Sequence, residues 1–181
     1  DIPFPYATQQ IPEEVEREPQ GAAAMMAARR KMRPRRYQGA PAPHQGLGLE
    51  MYAQVTSPLR RYLDLVAHQQ LRAHVLGQPL LDEEQMIERI GAADVVSPLL
   101  RKTERLSRQH WTLVWLKASK DWRGEAILVA MQNRNGQVQI PALGLEVKIP
   151  LKQELALDQV FELESTGVDL AQLDAHFRLP K

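Results

Sequence analysis

The sequence predicts an α+β protein, a mainly helical region over residues 1–120 followed by a small five-stranded antiparallel OB-type β-barrel over residues 121–181. Three observations carry this expectation. The first part holds long stretches of helix formers with start and stop signals. After Lys120 come short β-branched-rich runs separated by turn residues. The composition, 44% apolar and 25% charged over 181 residues, is that of a chain able to bury a core.

The elements follow in order. Pro3, Pro5, Pro12 and Pro19 forbid a long helix in the first 21 residues, which also carry the acidic run Glu13, Glu14, Glu16 and Glu18. From Ala22, "AAAMMAARRKM" has strong helix propensity and ends before Pro34. The glycines and prolines of "GAPAPHQGLGLEMY" predict a loop or a short irregular strand. A helix is expected from Pro58 to Leu76, with Ser57 as N-cap, Pro58 as its first residue and Gly77 just past its end. Leu59, Tyr62, Leu65 and Val66 form its apolar stripe. Asp82 and Gln85 resemble a capping box opening a helix over 83–90. A longer helix over roughly 92–119 has a possible restart at Ser97-Pro98, with Leu99, Leu100, Leu106, Trp111, Val114 and Trp115 as its apolar face. Five strands follow: "GEAILVAMQ", "QVQIPAL", "LEVKIPL", "QVFELEST" and "AHFRL", with Asn135-Gly136 as turn chemistry.

Bulk properties narrow the function. A formal charge of +1 gives no global field that would attract a polyanion, so any such argument must rest on local patches. The absence of cysteine excludes disulfides and cysteine-ligated metals and points to a reducing, cytoplasmic setting. No apolar run approaches the roughly 18 residues of a membrane span. The opening "DIPFPYATQQ" reads like the middle of a longer polypeptide.

The sharpest local feature is "TSPLRRYLDL", residues 56–65. In the expected helix, Arg60 and Arg61 occupy the positive end of the dipole, costing ~0.3–1 kcal/mol each unless an anion offsets them. A phosphate would do so, through backbone N–H groups, the dipole and bidentate arginine donors. The competing reading is an ordinary surface pair, since Asp64 lies four residues from Arg60 and three from Arg61.

Other features are less pointed. Six of the eight residues 29–36 are Lys or Arg, either a solvated run or a contact to a nucleic-acid backbone. The five histidines show no metal-ligand spacing, the carboxylates at 13–18 lie in a proline-bounded stretch, and Glu104 sits among cations that make it an ion-pair partner. His68, four residues from Asp64, is better suited to a structural hydrogen bond than to a ligand role. Trp122, Phe161 and Phe177 suit a barrel core better than a stacking platform, although OB-type barrels do bind single strands. The parts for binding an anion are present, and machinery for breaking a bond is not.

Residues 44–71, "HQGLGLEMYAQVTSPLRRYLDLVAHQQL", resemble a signature block of the ribonuclease II family. His44, Gly46, Leu47, Leu49, Tyr52, Thr56, Ser57, Pro58, Arg60, Tyr62, Asp64, Leu65 and His68 fit it, and "IPFPYATQ" resembles the segment that precedes the block. The resemblance implies the C-terminal part of a catalytic domain followed by an OB-fold RNA-binding domain. It implies processive 3′→5′ hydrolysis of single-stranded RNA to nucleoside monophosphates with Mg2+, by an enzyme that is a monomer when complete. Arg60 is implied to hold the phosphate at the scissile bond, with Arg61 a supporting cation that binds RNA together with Thr56, Ser57 and Tyr52. Glu104 resembles a further family position on a catalytic-domain helix.

One departure matters. The family's magnesium is held by aspartates well upstream of this block, and nothing here matches them. These 181 residues alone are therefore expected to be inactive and to act with the remaining N-terminal part of the same enzyme. Two alternatives stay open: a non-enzymatic single-stranded RNA-binding scaffold, and a helical protein-interaction module.

Overall fold

The structure, a computed structural model, describes residues 2–151 and 154–180. The chain divides into two compact units, one of residues 1–15 and 31–101, the other of residues 16–30 and 102–181.

In the first unit, β1 (Tyr6–Thr8) pairs antiparallel with β2 (Arg36–Gln38), and Tyr6 bridges to Ala53. A single 3-10 turn, Gln45–Leu47, lies in the expected irregular segment. Helix α2 spans Tyr62–Val75 and ends at Gly77, whose φ of 64° is the left-handed value that favours glycine. Its buried face is Leu63, Asp64, Val66, Ala67 and Gln70, whereas Leu59, Tyr62 and Leu65 of the expected stripe are exposed. Leu63 and Val66 pack with Met86 and Ile90 of α3 (Glu83–Ala118). The buried Gln70 amide is satisfied by the carbonyls of Pro3 and Leu81 and by the Leu81 N–H.

The capping box of α3 is formed as expected. Gln85 N–H donates to Asp82 Oδ1 at 2.8 Å, and Asp82 N–H donates to Gln85 Oε1 at 3.1 Å. The two helices expected over 83–90 and 92–119 are one, running through Gly91 and Pro98. Proline removes a donor and leaves the carbonyl four residues earlier free, a loss that water repairs at an exposed position such as this one.

The second unit is built on a sheet of order β5-β4-β3-β6-β7, all pairs antiparallel. Its strands are β3 (Arg123–Gln132), β4 (Asn135–Ile140), β5 (Leu145–Pro150), β6 (Val160–Asp169) and β7 (Asp174–Arg178). All five expected strands are present. β3 pairs with β6 through its first half and β4 through its second, with bulges at 128–130 in β3 and 165–167 in β6. Bulges bend strands, and here they bring β5 and β7 near each other to make a nearly closed barrel.

Alternating residues Val138, Ile140, Leu128, Leu163 and Phe177 fill the barrel, and Leu113 and Leu116 of α3 lie against them. Trp122 and Phe177 meet edge-on in this core with ring centroids 5.8 Å apart, as the sequence suggested. Trp111 and Trp115 do not join it and are 65% and 54% exposed. The helix meets the barrel along the 109, 113 and 116 side, where Gln109 also donates to the Leu173 carbonyl. That stripe is rotated away from the tryptophans.

The β3–β4 turn is Asn133-Arg134, not Asn135-Gly136. Asn133 takes the left-handed φ of 57°, and Gly136 is already in β4 opposite Met131. A Cβ at Gly136 would come within 2.5 Å of Leu151 Cδ1, so this glycine answers close packing and not a turn.

Candidate functional site

Residues 54–61 form the feature to which the sequence pointed. Helix α2 starts at Tyr62, with Arg61 as N-cap in extended conformation (φ −122°, ψ 113°). Ser57 is thus not its N-cap, and Pro58 is not its first residue. The Ser57 carbonyl accepts from the N–H groups of Arg60 and Arg61, closing a separate turn. Asp64, which is fully buried, gathers the donors around this turn.

Asp64 Oδ2 accepts from Ser57 N–H at 2.8 Å, from Arg61 Nε at 2.9 Å and from Arg61 Nη2 at 2.7 Å. The same Arg61 Nη2 donates to Thr56 Oγ1 at 2.8 Å. Of the two pairs that the spacing allowed, the three-residue one forms. Further along, His68 Nε2 lies 2.8 Å from the Val55 carbonyl, the structural bond expected of this histidine. Gln54 Oε1 accepts from Arg35 Nη1 at 2.8 Å and from the Tyr37 hydroxyl at 3.1 Å. The Arg35 guanidinium also sits over the Tyr37 ring, 5.1 Å from its centroid. Burial raises the Tyr37 pKa above the ordinary phenol value; Arg35 opposes this and Asp64 adds to it.

Gln54, Val55, Thr56, Ser57 and Arg61 are therefore each tied down. Arg60 is exposed and makes no side-chain hydrogen bond or ion pair among the described residues. The turn is pinned from within and presents one free guanidinium. An anion arriving here meets Arg60 first, since Arg61 is engaged by a buried carboxylate.

The other candidates divide. Thr56 is exposed and accepts from Arg61, and Ser57 is half-buried with its backbone committed. Tyr52 is half-buried, edge-on to buried His44 with centroids 5.4 Å apart. Glu104 lies on an exposed position of α3 in the other unit. Three of the six cations in 29–36 are hydrogen-bonded: Arg33 donates to Gln10 Oε1, Arg35 to Gln54, and Arg30 to Gln137. Among the described residues no three His, Asp or Glu side chains come together in a way that could hold a metal ion. Gln54 was not anticipated; nothing local distinguishes it, because its partners come from β2 and its flank. Asp64 was visible as the third residue after Arg61, but its burial was not.

Comparison with known proteins gives these residues a context. Residues 4–77 match the RNB domain family. Over 98% of its length the chain is 30% identical to an uncharacterized ribonuclease of Synechocystis, of which it spans 28%. It is 37% identical to the mitochondrial exoribonuclease II of Saccharomyces cerevisiae over 45% of the chain and 8% of that protein. Exoribonuclease 2 of Vibrio cholerae is 29% identical over 71% of the chain and 19% of its own length. The chain thus spans about a quarter or less of these relatives. Among solved structures, its fold resembles the Dss1 exoribonuclease of Candida glabrata (TM-score 0.73, 18% identity, 97% of this chain and 25% of that one). It also resembles Mycoplasma genitalium RNase R bound to ribose-methylated single-stranded RNA (TM-score 0.67, 16% identity, 99% of this chain and 38% of that one). The RNB match lies over the turn that presents Arg60, ribonuclease relatives run along the chain, and together they support placing it with the ribonuclease II family.

Proposed function

We propose that the chain is the phosphate-binding and RNA-channel portion of a processive 3′→5′ exoribonuclease that hydrolyses single-stranded RNA to nucleoside monophosphates. The observation that carries this is the division of labour in the turn, with Arg61 locked to Asp64 and Arg60 unpaired at the surface. Water attack on a phosphodiester concentrates negative charge on the non-bridging oxygens. A guanidinium carried to that point by a pinned turn would stabilise the charge. In this reading Arg60 is the residue on the scissile phosphate, Thr56, Ser57 and Tyr52 border the RNA path, and Arg61 supports Arg60 from behind rather than touching the phosphate.

The Mg2+ implied by the family would, when bound, supply an activated water. The described residues offer no donor set that fits it, so its ligands are assigned to residues outside this chain, in the N-terminal part of the same monomeric, cytoplasmic enzyme. The exoribonuclease relatives and the single-stranded RNA in the solved RNase R support the substrate class. The same absence of a metal-binding set favours a second reading, a single-stranded RNA-binding scaffold without catalysis.

A 5′-labelled single-stranded RNA incubated with Mg2+ and the polypeptide containing this chain separates the two. The enzyme shortens the RNA from its 3′ end with release of mononucleotides. A scaffold binds it and leaves its length unchanged, and that result would overturn the proposal.

A further inference from the structure

The turn that presents Arg60 is held at both ends, and the two ends hang from different elements. Its far end is fixed by Asp64 of α2, which takes donors from Ser57 and Arg61. Its near end continues a small sheet. Ala7 N–H of β1 donates to the Tyr52 carbonyl at 2.8 Å, and Tyr6 bridges to Ala53, so residues 52–54 run along one edge of β1. β2 runs along the other edge, with Tyr37 directly opposite Ala7.

Strand alternation and this register put Tyr37, Ala7, Pro5, Tyr52 and Gln54 on one face of the sheet. The middle strand gives that face only Ala7 and Pro5, both small and fully buried. A tyrosine on the outer strand can therefore reach across it, and the Tyr37 hydroxyl donates to Gln54 Oε1 at 3.1 Å. The same ring packs against the core of Leu63, Val66, Met86 and Ile90, which seats α2 on α3. Burial raises the Tyr37 pKa, Arg35 opposes this, and Asp64 and Arg61 act on it in opposite senses, so the hydroxyl lies in the field of the pair at the far end of the turn. Arg35 Nη1 gives Gln54 Oε1 its second donor, and its guanidinium lies over the ring.

We infer that Tyr37 is a positioning residue for Arg60: seated on the core beneath α2 and bonded to Gln54, it fixes the span between the two ends of the turn and so the placement of the guanidinium. The inference rests on the reading of Arg60 as the residue on the scissile phosphate. It brings β2, which lies outside the sequence block at 44–71, into the construction of the active-site turn. Catalysis is sensitive to such a span, since misplacement by about 1 Å can slow a reaction by ~100-fold.

The test uses the complete enzyme with single-stranded RNA and Mg2+, reading the single-turnover rate and RNA affinity in parallel. Tyr37→Phe keeps the ring on the core and removes only the donor to Gln54. It should slow the chemical step roughly tenfold with affinity unchanged, because a mis-aimed guanidinium loses contact with the transition state and not with bound RNA. Gln54→Leu should cost at least as much. Gln54→Glu, which keeps an acceptor for Tyr37 and Arg35, should restore most of the rate. In an Arg60→Ala background Tyr37→Phe should have no further effect, as nothing remains for it to aim. Melting followed by circular dichroism checks the fold of each variant, and the Gln54 pair carries the same comparison if Tyr37→Phe melts below the assay temperature.

A chemical step at the wild-type rate in Tyr37→Phe would overturn the assignment. So would a loss of the same factor with and without Arg60, which marks general damage to the fold, or a Gln54→Glu variant as slow as Gln54→Leu. Arg60→Ala in the otherwise unsubstituted enzyme reads the parent proposal by itself. A full rate there sinks both readings, whereas a slowed Arg60→Ala beside an unaffected Tyr37→Phe sinks this one alone.

Discussion

Removal of the Asp64 carboxylate is the perturbation that most directly probes how the active-site turn is built. Asp64 is 0% exposed, and its Oδ2 holds three donors, one from Ser57 and two from Arg61. Asp64→Ala would leave the half-buried Ser57 N–H without an acceptor and Arg61 with only Thr56. Deleting one partner of a buried pair costs roughly 3–5 kcal/mol. The Arg61 side chain, however, is 25% exposed and can regain water, so the lower end of that range, about 3 kcal/mol, applies. Asp64→Asn keeps an acceptor for Ser57 N–H and loses only the charge assistance, a cost of about 1–2 kcal/mol. In urea unfolding followed by circular dichroism, about 3 kcal/mol moves the midpoint of the unit containing α2 by roughly 1–3 M, for slopes typical of small domains. In the complete enzyme the alanine variant should also lose turnover, because the turn no longer aims Arg60, and the asparagine variant should retain part of it. An Asp64→Ala midpoint equal to wild type, or an asparagine variant worse than alanine, would refute the argument that this carboxylate organises the turn.

Three other expectations follow from the same geometry. The hydrogen bond from Arg178, supported by Arg123, lowers the Glu164 pKa. Its contribution to barrel stability is therefore present above the ordinary carboxylate pKa and lost as pH falls through the folded value. Glu164→Gln should flatten the acid limb of a Tm-against-pH curve, and an unchanged limb would contradict this. Burial raises the Tyr37 pKa, so its contribution is present below the ordinary phenol pKa and lost as pH rises through the higher folded value. Spectrophotometric titration should show a late phenol component that is absent in Tyr37→Phe. Asp158→Ala removes the cap of α1 (Gly21–Lys31), the acceptor for Ala23 N–H, and should destabilise the barrel unit by ~1 kcal/mol, measured as a shift in its unfolding midpoint.

What was legible in the sequence was whatever local chemistry decides. The barrel strands could be read because Val138, Ile140 and their neighbours alternate with polar residues, and the Asp82–Gln85 box because its partners are three residues apart. The turn at 56–61 was misread as a helix start because Ser57-Pro58 has the right local form. The turn is held instead by a carboxylate seven residues on, whose burial depends on tertiary packing. The same holds for α1, whose cap lies 135 residues away, and for Trp111 and Trp115, whose helical spacing fits a buried stripe but whose rotation about α3 does not. Arg60 was found through the family block and its chemistry. That it is free while Arg61 is not could be read only from the fold.

The measurement closest to the central claim is single-turnover hydrolysis of a single-stranded RNA by the complete enzyme carrying Arg60→Ala, with RNA affinity determined in parallel. A guanidinium that acts on charge developing at the scissile phosphate predicts a fall in the chemical step of ~100-fold or more with affinity little changed. Near-wild-type turnover, or a loss confined to affinity, would contradict the assignment of Arg60.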